Sequence, residues 1–340
     1  MSVFYVSDSA NCCLSGAAMP DVEMGAPEVV AMPLVSVYMP THNRLALLRR
    51  AVSSVLAQSM TDLELIIVND QSSDGTADYL DELAASNPRV RVLHNTGNLG
   101  ACASRNRAIA VARGEYVTGL DDDDFFLPER LSSFLRRWAA AEVSEPTLKG
   151  LYSNVYFMTR ADGGGRATQV LPRVTRTDLQ RRNHVGNHVF TKTRYLKAIG
   201  GFDPAFPAWQ DYDTWYRLAE SEGSLLADPG ISYVVDESHD NERISAASLA
   251  RFERAHHLFC AKHALPDHVV ATLRNSVFQH PLARMTLRDL WQQIRAGDVA
   301  IALRVFLLKS RWVAWRSMLM PRPMSVELMQ AVLQRLEARA

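Results

Sequence analysis

Lys and Arg are absent before Arg44, so the chain does not open with the positively charged start of a secretory signal. Cysteine is scarce. Cys12, Cys13, Cys102 and Cys260 form one adjacent pair and two isolated positions, a spacing that suits neither a disulfide framework nor a zinc site. No apolar run approaches the roughly 18 residues of a membrane span. Together these absences point to a cytoplasmic protein in a reducing compartment. Net charge is also missing, with 37 Lys and Arg against 37 Asp and Glu, which argues against a surface built throughout to grip nucleic acid. The 340 residues present, 47% of them apolar, exclude a disordered or collagen-like chain and suffice for one large domain with an extension, or for two.

Residues 1–33 carry Asp8, Asp21, Glu23 and Glu28 with no sustained period, the pattern of a poorly ordered acidic leader. From Leu34 onward strand-like and helix-like segments alternate: 34–39 then 44–58, 63–68 then 75–85, 90–93 then 101–112, and 115–120 then 128–140. That alternation predicts an α/β fold with a mostly parallel sheet covered on both faces. Such sheets bind ligands at the carboxyl ends of their strands, where the polar stretches 41–44, 69–74, 95–98 and 121–124 fall. Beyond Lys149 short β-like pieces (151–157, 188–191 and 231–235) mark a second, mixed half. Residues 246–340 read as largely helical.

The chemistry-bearing residues cluster at those strand ends. Asp121, Asp122, Asp123 and Asp124 repel one another unless a cation neutralises them, and the apolar Leu120, Phe125, Phe126 and Leu127 that bound them argue against a merely solvated acidic loop. In an extended turn, alternate side chains share a side, so Asp121 and Asp123 are expected to converge on one metal-diphosphate cluster, with Asp122 and Asp124 directed elsewhere. Asp70 could accept hydrogen bonds from a nucleobase or ribose, or could simply cap a helix. Asp211 and Asp213, in the aromatic stretch Trp209 to Trp215, are both possible general bases, and one of them could be a helix cap instead. His239 stands in a polar loop, where a lone His is more often solvent-facing than ligating. Between Arg284 and Arg322 eight Arg or Lys face two Asp, with Trp291, Trp312 and Trp315 interspersed. This composition fits either the anionic interface of an inner membrane or a helical subdomain with inward Trp and solvated Arg.

The segments occur in a definite order: Val35-Ser36-Val37-Tyr38-Met39-Pro40-Thr41-His42-Asn43-Arg44, Ile67-Val68-Asn69-Asp70-Gln71-Ser72-Ser73-Asp74-Gly75-Thr76, Asn98-Leu99-Gly100, Ser104-Arg105-Asn106, the Asp run, Gly200-Gly201-Phe202-Asp203 and Gln210-Asp211-Tyr212-Asp213. Over residues 34–245 this series resembles the family 2 inverting nucleotide-sugar glycosyltransferases of the A-type glycosyltransferase fold. The resemblance implies a nucleotide-binding half at 34–124, an acceptor half at 125–245 and a C-terminal helical region at 246–340. It assigns the nucleoside, most often uridine, to Thr41, Arg44 and Asp70, and the nucleotide end to Arg105. Asp121 and Asp122 would face the nucleotide-sugar. Asp123 and His239 would hold Mn²⁺ or Mg²⁺, and Asp211 would deprotonate the acceptor hydroxyl. Gln210 departs from the family, which usually has Glu there.

The implied reaction moves one sugar, a hexose from a UDP-sugar, to a glycan or lipid-linked glycan acceptor in O-antigen, lipopolysaccharide or capsule assembly, without nucleic acid. A metal-dependent phosphohydrolase would use the Asp run but leave the Gln210 to Asp213 segment unexplained. A glycan-binding module without catalysis would have no need of Asp211. A nicotinamide-dependent oxidoreductase is excluded because no Gly-x-Gly-x-x-Gly follows the first strand.

Overall fold

In the computed structural model, residues 32–159, 165–238, 248–278, 280, 282–297 and 306 are described. The acidic leader, up to residue 31, lies outside them, as do His239, Trp312 and Trp315. The strand-helix units expected from the alternation form in order. They are β1 (Val35–Thr41), α1 (Leu45–Leu56), β2 (Leu63–Asn69), α2 (Thr76–Ser86), β3 (Val90–His94), α3 (Ala101–Val111) and β4 (Tyr116–Gly119). These strands pair in parallel in the order β3-β2-β1-β4, so the chain reverses direction across the sheet beside β1. That reversal opens a crevice at the strand ends carrying Thr41 and the Asp run.

Strand alternation feeds a core on each face of the sheet. Val35, Val37, Met39, Leu65 and Ile67 point to a cluster shared with Leu48, Val52 and Val55 of α1. Tyr38, Ile66 and Val68 point to the opposite cluster, with Ala108 and Ile109 of α3. Glu64 interrupts the apolar pattern of β2. It is buried, but accepts hydrogen bonds from Ser36 Oγ (2.7 Å) and the Arg113 backbone N–H (2.7 Å), and Arg91 and Arg113 flank it.

The second half is built on β5 (Phe125–Phe126), α4 (Arg130–Ala141), β6 (Leu148–Met158), β7 (Gly165–Ala167), β8 (Arg173–Thr175), α5 (Arg176–Leu179), β9 (Thr191–Lys192), α6 (Thr193–Ala198), α7 (Gln210–Leu218) and β10 (Ser224–Asp236). The strand expected over 231–235 is the end of the longer β10, which pairs in parallel with β6 and antiparallel with β5 and β8. Of the stretch expected over 188–191, only Thr191 joins a strand, with β9 antiparallel to β4 at the edge of the first sheet, while Phe190 bridges to Leu151 of β6. Arg130 of α4 is buried at this junction. Its Nη1 donates to Ser153 Oγ and Ser232 Oγ, and its guanidinium stacks over Phe126, Phe134 and Tyr233, burial pushing its pKa down to about 10.

The helices expected after residue 245 are α8 (Leu249–Lys262), α9 (Asp267–Phe278) and α10 (Leu287–Arg295). Ala255 and Phe259 of α8 and Leu273 of α9 join the core cluster of Trp215 and Tyr216 on α7. Among the described residues no helix is long and apolar enough to cross a membrane.

Gly119 is required where the two halves of the cleft meet. A Cβ there would fall 2.2 Å from the Tyr38 ring and 2.6 Å from His188 Nδ1. Gly119→Ala is expected to cost about 1–3 kcal/mol through forced displacement of these packed rings, read as a lower denaturation midpoint. Gly97→Ala, where the added Cβ meets nothing within 4 Å, should leave the midpoint unchanged.

Candidate functional site

The strand-end loops are laced together before any ligand arrives. The Asp70 N–H donates to the Thr41 carbonyl (2.9 Å), Asn43 N–H to Ser72 Oγ (2.9 Å) and Ser73 N–H to Asn43 Oδ1 (2.7 Å). Asp74 accepts from Leu45 N–H at the start of α1 (3.1 Å) and from Thr76 Oγ1 at the start of α2 (2.6 Å). Asp70 Oδ1 accepts from Asn95 Nδ2 (2.7 Å) and Leu99 N–H (2.8 Å), and Oδ2 accepts from Gly100 N–H (2.7 Å). A carboxylate offers roughly four acceptor positions, so Asp70 is largely spent on holding the 95–100 loop.

Five non-glycine residues among those described have positive φ, and three of them, Asn43, Gln71 and Trp209, adjoin the expected site residues Arg44, Asp70 and the Gln210-Asp211 pair. Left-handed backbone at such residues is strained and tends to gather where side chains must be aimed.

The Asp run is a turn, not the extended stretch expected, because the Asp124 N–H donates to the Asp121 carbonyl (3.1 Å). The predicted alternation of side chains therefore fails: Asp122 and Asp123 share Arg44, while all four residues border one cleft. Arg44 Nη1 donates to Asp122 Oδ1 (3.1 Å) and Asp123 Oδ2 (2.9 Å), while Thr41 Oγ1 donates to Asp122 Oδ2 (2.7 Å). Arg105 Nη2 donates to Asp121 Oδ1 (2.6 Å), so Arg105 is placed on the carboxylate cluster. Asp124 accepts from the Tyr233 hydroxyl (2.8 Å) and the Asp236 N–H (3.1 Å). Arg50 Nη2 donates to the Asp123 carbonyl (2.7 Å), and its Nη1 pairs with Asp236.

Burial and charge act against each other in this cluster. Burial would raise Asp121, but Arg105 and His188 hold its pKa below the usual carboxylate range. Asp122 is pushed up to about 6, by burial first and then by the charges of Asp123 and Asp121, despite Arg44. Asp124 is raised well above its ordinary value by burial and by those same neighbours. The oxygens gathered here are hard carboxylate donors of the kind that suit Mg²⁺ or Mn²⁺. No three His, Cys, Asp or Glu side chains among the described residues form a complete ligand set by themselves.

Across the cleft, which encloses about 680 Å³, Asp211 stands in the first turn of α7. Asn183 Nδ2 donates to its Oδ2 (3.3 Å). Burial raises its pKa to about 6, with Arg105 opposing and Asp121 reinforcing the shift. Asp213 differs completely. It is fully buried, lies outside the cleft lining, and accepts from Arg217 Nε (2.8 Å), Lys262 Nζ (3.0 Å) and His263 Nε2 (2.9 Å). Burial would raise Asp213, and those partners hold it low. Geometry therefore separates two carboxylates that the residue pattern alone left as alternatives and between which the resemblance had selected Asp211.

Thr41, Arg44, Asp70, Arg105, Asp121, Asp122, Asp123 and Asp211 all line this one cleft, together with Gln210. His188 is a lining residue that sequence reasoning missed. It is buried, its Nε2 lies 3.4 Å from Asp121 Oδ1, and neither ring nitrogen has a good hydrogen bond among the described residues. Burial lowers its pKa, against the opposing pull of Asp121. Arg50 was missed as well, since its partner Asp236 is distant in sequence and no local spacing announces the pair.

The sequence profile of glycosyl transferase family 2 matches residues 36–192. Escherichia coli (strain K12) WcaA, a glycosyl transferase assigned by name to colanic acid biosynthesis, is 37% identical over 219 residues, covering 63% of this chain and 76% of that protein. Among solved structures, S. aureus TarS 1–349 with UDP-GlcNAc superposes with a TM-score of 0.55 at 23% identity, covering 81% of this chain and 83% of that one. The mannosyltransferase PcManGT of Pyrobaculum calidifontis with GDP-Man and Mn²⁺ gives 0.53 at 19% identity, covering 92% and 83%. The structural likenesses speak for the fold alone, whereas the sequence match along most of a relative's length shows descent. This chain belongs to glycosyl transferase family 2 and is a glycosyltransferase of the A-type fold.

Proposed function

We propose that the enzyme is a metal-dependent inverting hexosyltransferase that takes one sugar from a nucleoside diphosphate donor, UDP in the first instance, and attaches it to a glycan or lipid-linked glycan in bacterial surface polysaccharide assembly. The observation that carries this reading is one cleft with two chemically different walls: a crowded carboxylate cluster at the end of β4, and the solitary, upshifted Asp211 facing it. WcaA's assignment to colanic acid supports the polysaccharide setting. The nucleotide sugars and Mn²⁺ named for the structural neighbours accord with the donor class and cation.

In this reading Thr41, Arg44 and Asp70 bound the nucleoside end, and Arg105 stands between donor and acceptor walls. Asp121 and Asp123 would hold Mg²⁺ or Mn²⁺, and Asp122 orders Thr41 and Arg44 beside them. The cation supplies Lewis-acid neutralisation of the charge that develops on the leaving diphosphate. Asp211 takes the proton from the acceptor hydroxyl as that oxygen attacks the anomeric carbon from the face opposite the leaving group. The nucleoside diphosphate departs with the electron pair of the broken bond. One in-line displacement inverts the anomeric centre.

Asp211→Asn keeps shape but cannot accept the proton, so kcat should fall about 10²- to 10⁴-fold while donor binding, read by calorimetry, stays near wild type. The base works only when ionised. The kcat/KM of the wild type should therefore rise as pH rises through about 6 and then level off, and the Asn variant should lose that limb. Asp213→Asn should act on folding instead, costing about 1–3 kcal/mol by leaving the partly buried Arg217 and Lys262 without their shared carboxylate, while retaining more activity in its folded fraction than Asp211→Asn. The opposite ranking would transfer the base assignment to Asp213.

Removing the divalent cation with EDTA should silence transfer, and Mn²⁺ or Mg²⁺ should restore it. Asp123→Ala should abolish both transfer and the cation dependence of UDP binding, the latter measured by titration without turnover. Full activity in chelator would refute the metal reading.

A further inference from the structure

We propose that the outward face of α10 docks the enzyme on an anionic lipid bilayer. This goes beyond the transfer reaction and does not depend on it. The helix is fixed in orientation by its inner side. Thr286 and Asp289 form a capping box, Asp289 Oδ1 also accepts from Arg274 Nε of α9 (2.9 Å), and Gln293 is buried against Asn275 (2.9 Å). Leu290 and Ile294 pack on Phe278, Ala283 and Met285. The only acid of α10 is thus turned inward and neutralised.

The outer side carries the opposite character. Leu287 is 64% exposed and Trp291 57% exposed, one helical turn apart, with Leu282 at 67% just before the helix. Arg288 and Arg295 are exposed on the same arc, and the Arg295 guanidinium lies 5.4 Å from the Trp291 ring centre. Of the two readings open for this segment, inward Trp and outward Trp, Trp291 takes the second. An exposed Trp and Leu pair bordered by guanidinium groups, with no exposed acid on the helix, matches the boundary between lipid headgroups and acyl chains. Positive charge selects an anionic surface over a neutral one. It also disfavours a second copy as occupant, since a two-fold contact would set Arg288 and Arg295 against their own equivalents.

The position is chemically apt. α10 packs on α9, and α9 and α8 supply Ser276 and Phe252 to the cleft lining. A bilayer held at α10 is therefore attached to the helices beside the acceptor wall.

The test is sedimentation of the full-length protein, without donor or acceptor, with phosphatidylcholine vesicles that contain or lack phosphatidylglycerol. The wild type is expected to bind the anionic vesicles, to release them as salt is raised and to bind neutral vesicles about tenfold or more weakly. Leu287→Ser with Trp291→Ser, and separately Arg288→Gln with Arg295→Gln, should each weaken association about tenfold or more, while Trp291→Phe retains it. These side chains face solvent, so the variants should keep the wild-type circular dichroism and transfer to a soluble acceptor analogue. Absence of wild-type binding, equal binding to both vesicle types, or wild-type affinity in both double variants would overturn the proposal. So would a wild-type dimer, seen by light scattering, that the Leu287 and Trp291 substitutions dissociate.

Discussion

The site is organised around the cost of placing four carboxylates in succession at a buried strand end. Two like charges about 4 Å apart repel by about 4 kcal/mol at an effective dielectric near 20, so the run cannot stand without counter-charge. The fold brings that charge from two directions, Arg44 at the start of α1 and Arg105 on α3, while Arg50 of α1 holds the main chain of the run at the Asp123 carbonyl. Hydroxyls from Thr41 and Tyr233 take up further oxygens. Burial, joined by the neighbouring carboxylates, still leaves Asp122 and Asp124 raised above their ordinary values.

Much of the recurring sequence pattern serves to hold this arrangement and never reaches the cleft. Asp74 ties the starts of two helices, and Asn106 pairs with both the N–H and the carbonyl of Phe202 (2.7 Å each). Gly201, at φ 67°, makes room for that pairing, since a Cβ there would lie 2.3 Å from Asn106 Oδ1. These residues make the strand ends rigid, and the side chains that project from them are aimed by position.

The first sheet and the strand ends were legible because apolar periodicity is local and β1 to β4 follow one another at short intervals. Most cleft residues were legible for the same reason, lying just after a strand or at a helix start, whereas Arg105, inside α3, entered only through the family resemblance. Three things were not. The geometry of the Asp run depended on a turn hydrogen bond that neighbouring residues do not dictate. The clasp that takes Asp213 out of the cleft depended on Lys262 and His263 at the end of α8, which arrive from far along the chain, so residue pattern alone left Asp213 beside the Asp211 that the resemblance selected. His188 gave no signal at all, because it faces Asp121 only through the bridge that sets Phe190 against Leu151.

The clasp on Asp213 has a mechanical meaning. Lys262 joins it to Asp203 as well (2.6 Å to Asp203, 3.0 Å to Asp213), so the loop before α7, α7 itself and the end of α8 form one braced unit. The wall bearing Asp211 is thus braced from behind. For anyone exchanging parts between relatives to alter which acceptor is used, the natural seam lies outside this brace: a graft that carries α7 without α8 would sever it.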